Sequence, residues 1–454
     1  MNIKAERVMN MAYLDRYYIT GKRRLIGEVS IGGCKNAILP ILAATVLTAK
    51  RSIIHNCPPI ADALLTLDIL RSLGADVAYD GDSVIVDTRD VNAHNLPTEL
   101  AARLRASSLF LGALIGRGGA AQSIMPGGCK LGKRPVDLHI NAFRAMGVDV
   151  HEDGDELICR GWPKGAHVAL NFPSVGATQN VILAATLAKG KTIIENAAKE
   201  PEIVDLQNFL NKAGAKISGA GSPTITIRGV KSLNQVEYTI MPDRIVAGTY
   251  LCAAAITGGH VKLNNTRHQD LAPVIDALEQ SGSSIICHTN SIQILGPRRP
   301  MAIDIHTGPH PAFPTDMQPQ FTSMLTIASG QSHICESIFE SRDRHIKELQ
   351  KLGAKVTSKG DTFIIKGQKE LMGAELNSHD LRGGASLIIA ALAATGESVV
   401  HDNGCIPRGY ADIAADLQEL GACILYSAGE GIIHEPSGTG SRSLPSDALS
   451  SRKN

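Results

Sequence analysis

The sequence predicts an α/β chain of two globular domains, each built from three copies of one unit, and three observations carry that reading. First, a motif in which an amphipathic helix stops at a glycine and runs into a strand recurs six times. The copies are SLGADV, AMGVDV, KAGAKI, QSGSSI, KLGAKV and ELGACI, with glycines at Gly74, Gly147, Gly214, Gly282, Gly353 and Gly421, 67 to 73 residues apart. Second, upstream in each unit lies a helical pattern apolar on nearly every side and rich in Ala and Gly, as in NAILPILAATVLTA, ASSLFLGALIG, ATQNVILAATLA, VAGTYLCAAAI and ASLIIAALAA. A helix that is apolar all round is buried rather than laid on a surface. Third, 454 residues exceed the usual size of one hydrophobic core, whereas two domains of roughly 200 residues can each bury their own.

The elements of the unit follow in order. Each glycine comes after apolar residues at helical spacing, such as Ile346, Leu349 and Leu352, or Ile413, Leu417 and Leu420. It therefore suits the position just past a helix end, where φ turns positive. A strand, a turn and usually a second strand come next, as in VAYDGDSVIVD and KVTSKGDTFIIKG. A short strand also follows each buried helix (SIIHN, TIIENA, HVKLNN, HICES, SVVHD). The unit thus reads buried helix, strand, exposed helix, strand, turn, strand, and its period is too long for a solenoid repeat of about 20 to 50 residues. Residues 1–13 form an extension with no assigned role, and Glu435 to Asn454, rich in Ser, Gly and Pro, is expected to be disordered.

Composition excludes several function classes. With 45 basic against 44 acidic residues and 4% aromatics, the chain has no global basic field and few stacking platforms for nucleic acid. Any anion binding must be local. Nine cysteines with no C-x-x-C pair argue against a disulfide framework or a zinc site and for a reducing cytosol. Cys34, Cys57, Cys159, Cys252, Cys287, Cys335, Cys405 and Cys423 read as small core or surface residues. The longest uncharged apolar run, Ala37 to Ala49, is shorter than the roughly 18 to 20 residues that span a bilayer, and the N-terminus lacks a signal-peptide core. A soluble cytosolic protein without metal or cofactor is expected.

The most reactive stretch is Ile124 to His139, IMPGGCKLGKRPVDLH. It sets Cys129 between Gly127–Gly128 and the cations Lys130, Lys133 and Arg134, just before an apolar helical pattern. Such surroundings favour the thiolate, so the thiol should titrate below its ordinary value of about 8.5. The plain alternative is a surface turn with a spare cysteine. Gly127 to Lys133 formally fits the frame of a nucleotide P-loop, but the next residue is Arg134 where Ser or Thr would hold magnesium. What survives of that motif is an anion site made of loop amides, a helix start and cations.

The repeat then locates the polar residues that break its pattern. At starts of buried helices stand Lys35 and Asn36, Arg105, Ser174 with Gly176, Asp243 and Arg244, Asp316, and Asp380 with Arg382. In loops after the first strand stand Cys129 with Arg134, Glu200 and Glu202, Arg342 and Arg408. Taken singly, an Asp at a helix start is usually a cap and an Arg usually a surface ion pair. Recurrence at one place in the unit points instead to a shared site. Helix N-termini with Lys35, Arg105, Arg134, Arg342, Arg382 and Arg408 specify a polyanion carrying phosphate and carboxylate.

In sequence, GGCKNAILP, PGGCKLGKRPVDLH, PSVGAT, ENAAKEPEIVD, MPDRI, GPHPAFPTDMQPQFT, DLRGGASL and PRGY together resemble the UDP-N-acetylglucosamine 1-carboxyvinyltransferases. These enolpyruvyl transferases catalyse the first committed step of bacterial peptidoglycan synthesis and are the target of fosfomycin. The resemblance runs from about Leu14 to about Ile433. It implies the enolpyruvyl transferase fold, two inside-out α/β barrel domains of three βαβαββ-type repeats each. The chain would cross between them near Cys34 and Met241, giving one domain of residues 35–241 and one of 14–34 plus 242–434. It also implies a cytoplasmic enzyme that moves the enolpyruvyl group of phosphoenolpyruvate to the 3′-hydroxyl of UDP-N-acetylglucosamine, with no cofactor, no nucleic acid or membrane partner, and a monomer ahead of an oligomer.

Residue by residue, the resemblance makes Asp316 the base at the 3′-hydroxyl and Cys129 the proton donor and covalent thiol. It makes Lys35, Asn36, Arg134 and Arg408 the phosphoenolpyruvate contacts, with Arg105 nearby. Arg134, Pro135, Val136, Asp137 and Leu138 would hold uridine, Ser174 and Val175 would lie near the diphosphate, and Ile338 beside the sugar. Arg342, Asp380 and Arg382 complete the set. The sequence departs from the pattern at Cys405 and Pro407 in CIPRGY, at Val246, and at FESR in place of FENR. A thiol and a proline cannot give the neighbouring Arg408 a carboxylate's hydrogen bonds. That departure keeps two alternatives open: a paralogue with another acceptor sugar, and a UDP-sugar-binding regulatory paralogue of low turnover.

Overall fold

Six helices, each buried along nearly its whole length, form two centres in a computed structural model that describes residues 15–124, 136–429 and 433–434. Five are apolar nearly all round as expected, whereas Gln318–Leu325 buries Gln318, Gln320, Thr322 and Ser323, whose side chains are hydrogen-bonded. Lys35–Thr48, Leu109–Gly118 and Val175–Thr186 make one centre; Arg244–Thr257, Gln318–Leu325 and Leu381–Ala393 make the other. Close approach depends on small residues. A Cβ on Gly112 would stand 2.5 Å from the Asn180 carbonyl oxygen, which no larger residue survives without backbone movement. Cys129, Arg134, Pro135, the N-terminal extension and the C-terminal tail lie outside the described residues.

Around each centre the repeat unfolds as the sequence implies. A strand follows every buried helix (Ala120–Ile124 and Gln331–Cys335 are two), then a surface helix, then an antiparallel strand pair. The six glycines that end the surface helices have φ between 79° and 104°, so each occupies backbone that a side chain would strain. No helix among the described residues is long and apolar enough to cross a membrane. Nor does any group of three or more His, Cys, Asp and Glu among them form a metal cluster.

The unit has one strand more than expected. A short strand precedes the buried helix and pairs in parallel with the strand that follows it, as His167–Ala169 does with Lys191–Glu195 and Ile305–His306 with Gln331–Cys335. Two or three residues are too few to show alternation, which is why the pattern missed them. In the unit of Ala120–Ile124 the extra strand shrinks to a single bridge, Asn95 to Gln122. At two places the leading strands are exchanged. Ile26–Ser30 pairs with His260–Asn264, and Val236–Thr239 pairs with Arg51–His55. Asp15–Thr20 inserts between Glu397–Asp402 and Cys423–Ser427, antiparallel to both. Buried apolar residues fall accordingly into two clusters, one from Cys34 to Met241 and one taking Tyr17 to Ile31 together with Ile245 to Ile424.

The chain passes between these clusters along two segments that lie side by side. Gly33 bridges Pro242, the Cys34 amide donates to the Met241 carbonyl at 2.8 Å, and the Asp243 amide donates to the Gly32 carbonyl at 2.9 Å. The Asp243 carboxylate ties them further. Its Oδ1 accepts from the amides of Ile245 and Val246, capping one buried helix, while Oδ2 accepts from the Lys35 amide at the start of another. Beside it the buried Glu202 and Arg244 form an ion pair at 2.9 Å, and the Cys34 thiol donates to Glu202 at 3.7 Å. Asp243→Ala removes the acceptor of three amides at once, two of them buried, and should lower the unfolding free energy by about 2 kcal/mol. Urea unfolding of the full chain checks this, and an unchanged midpoint would refute the pinning role.

Candidate active site

Lys35 is the first residue of a buried helix, where the positive end of the dipole disfavours a cation unless an anion faces it. That anion is Asp62, in the first turn of Ala61–Ser72. Asp62 Oδ2 lies 2.9 Å from Lys35 Nζ, and the same carboxylate accepts from Arg408 Nε at 2.8 Å and NH2 at 3.1 Å. Lys35 and Asp62 lie in the segment that carries one apolar cluster, whereas Arg408, in the 3-10 turn Ile406–Arg408, comes from the segment that carries the other. Burial pushes the Asp62 carboxyl up, but Lys35 and Arg408 outweigh it and hold it below its ordinary value. Burial lowers the Lys35 ammonium, Arg382 and Arg408 add to that, and Asp62 opposes them.

A second carboxylate sits between two further cations. Asp316, in the 3-10 turn Thr315–Met317, accepts from Arg342 NH2 at 2.8 Å through Oδ1 and from Arg382 NH2 at 3.1 Å through Oδ2. Burial raises the Asp316 carboxyl, yet Arg382 and Arg342, with Lys35 behind them, hold it far below the carboxylate range. Arg382 is the second residue of its helix, whose N-cap Asp380 accepts from the amides of Arg382 and Gly383. Arg382 also donates to the Tyr410 hydroxyl at 3.5 Å, and that hydroxyl meets Thr249 Oγ1 at 2.9 Å. Because Lys35 acts on Asp316, and Arg382 on Lys35, the two clusters share one field. Counted over the direct ion pairs alone, four cations against two carboxylates leave a surplus of two positive charges, which suits a small polyanion.

The residues that the sequence resemblance assigns to the nucleotide also meet. Ser174 caps Val175–Thr186 by accepting from the Ala177 amide. A Cβ on Gly176 would stand 3.1 Å from the ring of His139, in the helix Asp137–Ala145 that begins right after Val136. His139 Nδ1 lies 2.7 Å from Asn180 Nδ2, and Asn180 also accepts from the Gly112 amide and donates to the Ser108 carbonyl. Asn180 thereby joins the Asp137 helix, the Ser174 helix and the turn Arg105–Ser108. Burial, then Arg105, pushes the His139 imidazole down to about 4, so it is neutral near pH 7. Asn36 and Ile338 are half-buried.

Two sequence expectations change. Arg408 was left without a carboxylate in CIPRGY, and the structure supplies it from 346 residues away in Asp62. Cys405 instead contacts Asn403 at 3.0 Å. Glu202 and Arg244 serve the crossing rather than the Asp316 cluster, and Glu200 accepts from the His310 amide at 3.5 Å. Sequence reasoning also missed Asp62, His139 and Asn180. An acid in the first turn of an amphipathic helix reads as a dipole partner, and the local hint at Asp62 was its place as the second residue of that helix.

The Lys35–Asp62–Arg408 bridge predicts a pH signature. Asp62→Asn removes the carboxylate that the buried Lys35 and the half-buried Arg408 share and should cost about 3 to 5 kcal/mol near neutral pH. Asp62 titrates low in the folded state, so its contribution is present above the unfolded carboxyl value and lost as pH falls through the folded one. Lys35 also titrates low, so loss of its charge at alkaline pH relieves the variant first. Urea unfolding across pH should show the gap between parent and variant widest near neutrality and narrower at both ends; a constant gap contradicts the bridge.

The chain has recognisable relatives. A family model described as EPSP synthase (3-phosphoshikimate 1-carboxyvinyltransferase) matches residues 19–417. UDP-N-acetylglucosamine 1-carboxyvinyltransferase 2 of Caldanaerobacter subterraneus subsp. tengcongensis is 46% identical, over 91% of this chain and 99% of its own. UDP-N-acetylglucosamine 1-carboxyvinyltransferase of Geobacter metallireducens is 44% identical, over 90% and 99%. Among solved structures, the enolpyruvyl transferase NikO from Streptomyces tendae superposes with TM-score 0.82 at 25% identity, covering 91% of this chain and 99% of that one. EPSP synthase from Acinetobacter baumannii, at TM-score 0.68 and 21% identity over 91% and 100%, shares the fold.

Proposed function

The chain belongs to the enolpyruvyl transferase family, with UDP-N-acetylglucosamine 1-carboxyvinyltransferases among its relatives, and we propose that it transfers the enolpyruvyl group of phosphoenolpyruvate to the 3′-hydroxyl of UDP-N-acetylglucosamine. Phosphate is the other product, and the reaction is the first committed step of peptidoglycan synthesis in a bacterial cytoplasm. The observation that carries the reading is the pair of carboxylates, Asp62 and Asp316, each held between two cations contributed by two helix starts, a 3-10 turn and the loop that carries Arg342. Phosphoenolpyruvate brings phosphate and carboxylate to that surplus of positive charge.

The reaction is addition followed by elimination. The sugar hydroxyl bonds to C2 of phosphoenolpyruvate as its proton leaves, and C3 gains a proton. C3 then loses a proton, the C2–O bond to phosphate breaks, and the double bond returns. Asp316 is the base. Held low by Arg342 and Arg382, it is ionised but weakly basic. Anions of the substrate that compete for those arginines raise its basicity at the moment it is needed. Cys129 is the acid at C3. Lys35, Asn36, Arg134 and Arg408 bind phosphoenolpyruvate, with Arg105 beside them. Residues 134–138 hold uridine, Ser174 and Val175 the diphosphate, and Ile338 the sugar. Asp380 caps the helix that carries Arg382 and so sets its position.

The two clusters are two domains, residues 35–241 and 14–34 with 242–434, and the site lies where they meet. Lys35, Asp62 and Arg408 come together within one chain, which supports a monomer ahead of an oligomer. With Asp62 as partner of Arg408, the substitutions at Cys405 and Pro407 give no ground for a different acceptor.

Phosphate release from phosphoenolpyruvate tests the proposal directly. Release should require UDP-N-acetylglucosamine and stop after preincubation with fosfomycin; sugar-independent release would refute it. Cys129→Ala should abolish turnover while UDP-sugar binding persists, and Cys129→Asp should keep partial activity because a carboxylic acid can also give a proton. Full turnover in the Ala variant would remove Cys129 from the mechanism.

A further inference from the structure

Asp316 is held by Arg342, and Arg342 is itself held by groups the reaction does not use. Arg342 NH1 donates to Thr315 Oγ1 at 2.6 Å, while its NH2 reaches Asp316 Oδ1 at 2.8 Å. The Thr315 hydroxyl, having accepted from the arginine, donates its own hydrogen to Glu336 Oε2 at 2.8 Å. Glu336 is buried immediately after the strand Gln331–Cys335, and its other oxygen accepts from the amides of Ile338 and Phe339 at 2.9 and 3.1 Å. The ring of Phe339 in turn lies 5.0 Å from the Arg342 guanidinium carbon. One carboxylate thus fixes the turn that presents Ile338, the ring on which Arg342 rests, and the hydroxyl that orients it.

We infer that Glu336 and Thr315 are positioning residues that act in series through Arg342 to fix the Asp316 carboxylate for the attack of the sugar hydroxyl. The inference rests on the proposed reaction for its kinetic test but not for its structural one. A hydroxyl suits the middle place because it can accept from a guanidinium and donate to a carboxylate at once, whereas a second carboxylate there would face Glu336 with like charge. Without the hydroxyl, Arg342 keeps only Asp316 and the aromatic face among the described residues, and the turn in its neighbourhood is free to carry it elsewhere. Lys35 and Arg408 are tied to Asp62 instead, so turnover should fall far more than phosphoenolpyruvate binding weakens.

Thr315→Val removes the hydroxyl at nearly constant volume. It should lower kcat by about ten- to a hundredfold, the effect of losing a hydrogen bond to a charged group. KM for phosphoenolpyruvate should stay within about threefold, and Thr315→Ser should recover most of the rate. Glu336→Gln keeps an oxygen for the two amides but no longer accepts from Thr315, so kcat should fall several-fold. Residues acting in series are non-additive, so the double variant should be no slower than Thr315→Val. A Thr315→Val enzyme within twofold of the parent, a Ser variant as slow as Val, or a double variant slow by the product of both effects would each overturn the inference.

A crystal structure of Thr315→Val decides the structural part without any turnover. Arg342 NH2 should leave Asp316 Oδ1, and an unchanged contact would overturn the relay. If the parent itself releases no phosphate while Arg342 moves in the variant, the assigned reaction fails and the relay stands.

Discussion

The geometry of the site depends on the place where two stretches of chain pass each other between the cores. Gly33 has no room for a side chain there, since a Cβ would lie 1.8 Å from the Asn56 carbonyl oxygen. That close approach lets the Cys34 amide reach Met241 and puts the Lys35 amide on Asp243. One carboxylate consequently caps the helix that starts the second core and anchors the helix that starts the first. The direction in which Lys35 leaves its helix is therefore set from the opposite core. Arg408 can share Asp62 with Lys35 only while that alignment holds.

The electrostatics follow from the same placement. Lysine and arginine at helix starts face the unfavourable end of the dipole, and burial removes the water that would relieve them. Asp62 and Asp316 act as internal counter-ions, each shared by two cations and each held ionised by them. Because both carboxylates are outnumbered, the site is neither neutral nor fully charged. It tolerates an empty state and still favours an incoming polyanion, which trades places with the carboxylates instead of meeting bare charge.

Much of this was legible in the chain. The six glycines announced the repeat because a positive φ beyond a helix end admits few other residues. Asp243, Asp380 and Ser174 were legible as helix starts, and each is a cap with its own acceptor contacts. The short leading strands were not, since two or three residues carry no period. Asp62 was hidden for another reason: its local setting is that of an ordinary surface helix, and its second partner lies 346 residues on. Glu336 and Thr315 escaped likewise, because their significance lies in a hydrogen-bond order that no spacing rule encodes. Cys129, Arg134 and Pro135 stay with the sequence argument, being outside the described residues.

The exchanged strands bear on how such a chain can assemble as it is made. The first core lacks its edge strand until Val236–Thr239 has followed everything else that builds it, after which it can close. Asp15–Thr20 and Ile26–Ser30 are synthesised before that core, yet their partners at His260–Asn264, Glu397–Asp402 and Cys423–Ser427 emerge long afterwards. The nascent chain therefore carries two unpaired strands past a finished core while the rest is translated. The charged and polar residues along them, Asp15, Arg16, Glu28 and Ser30 among them, make those waiting edges less adhesive to other growing chains.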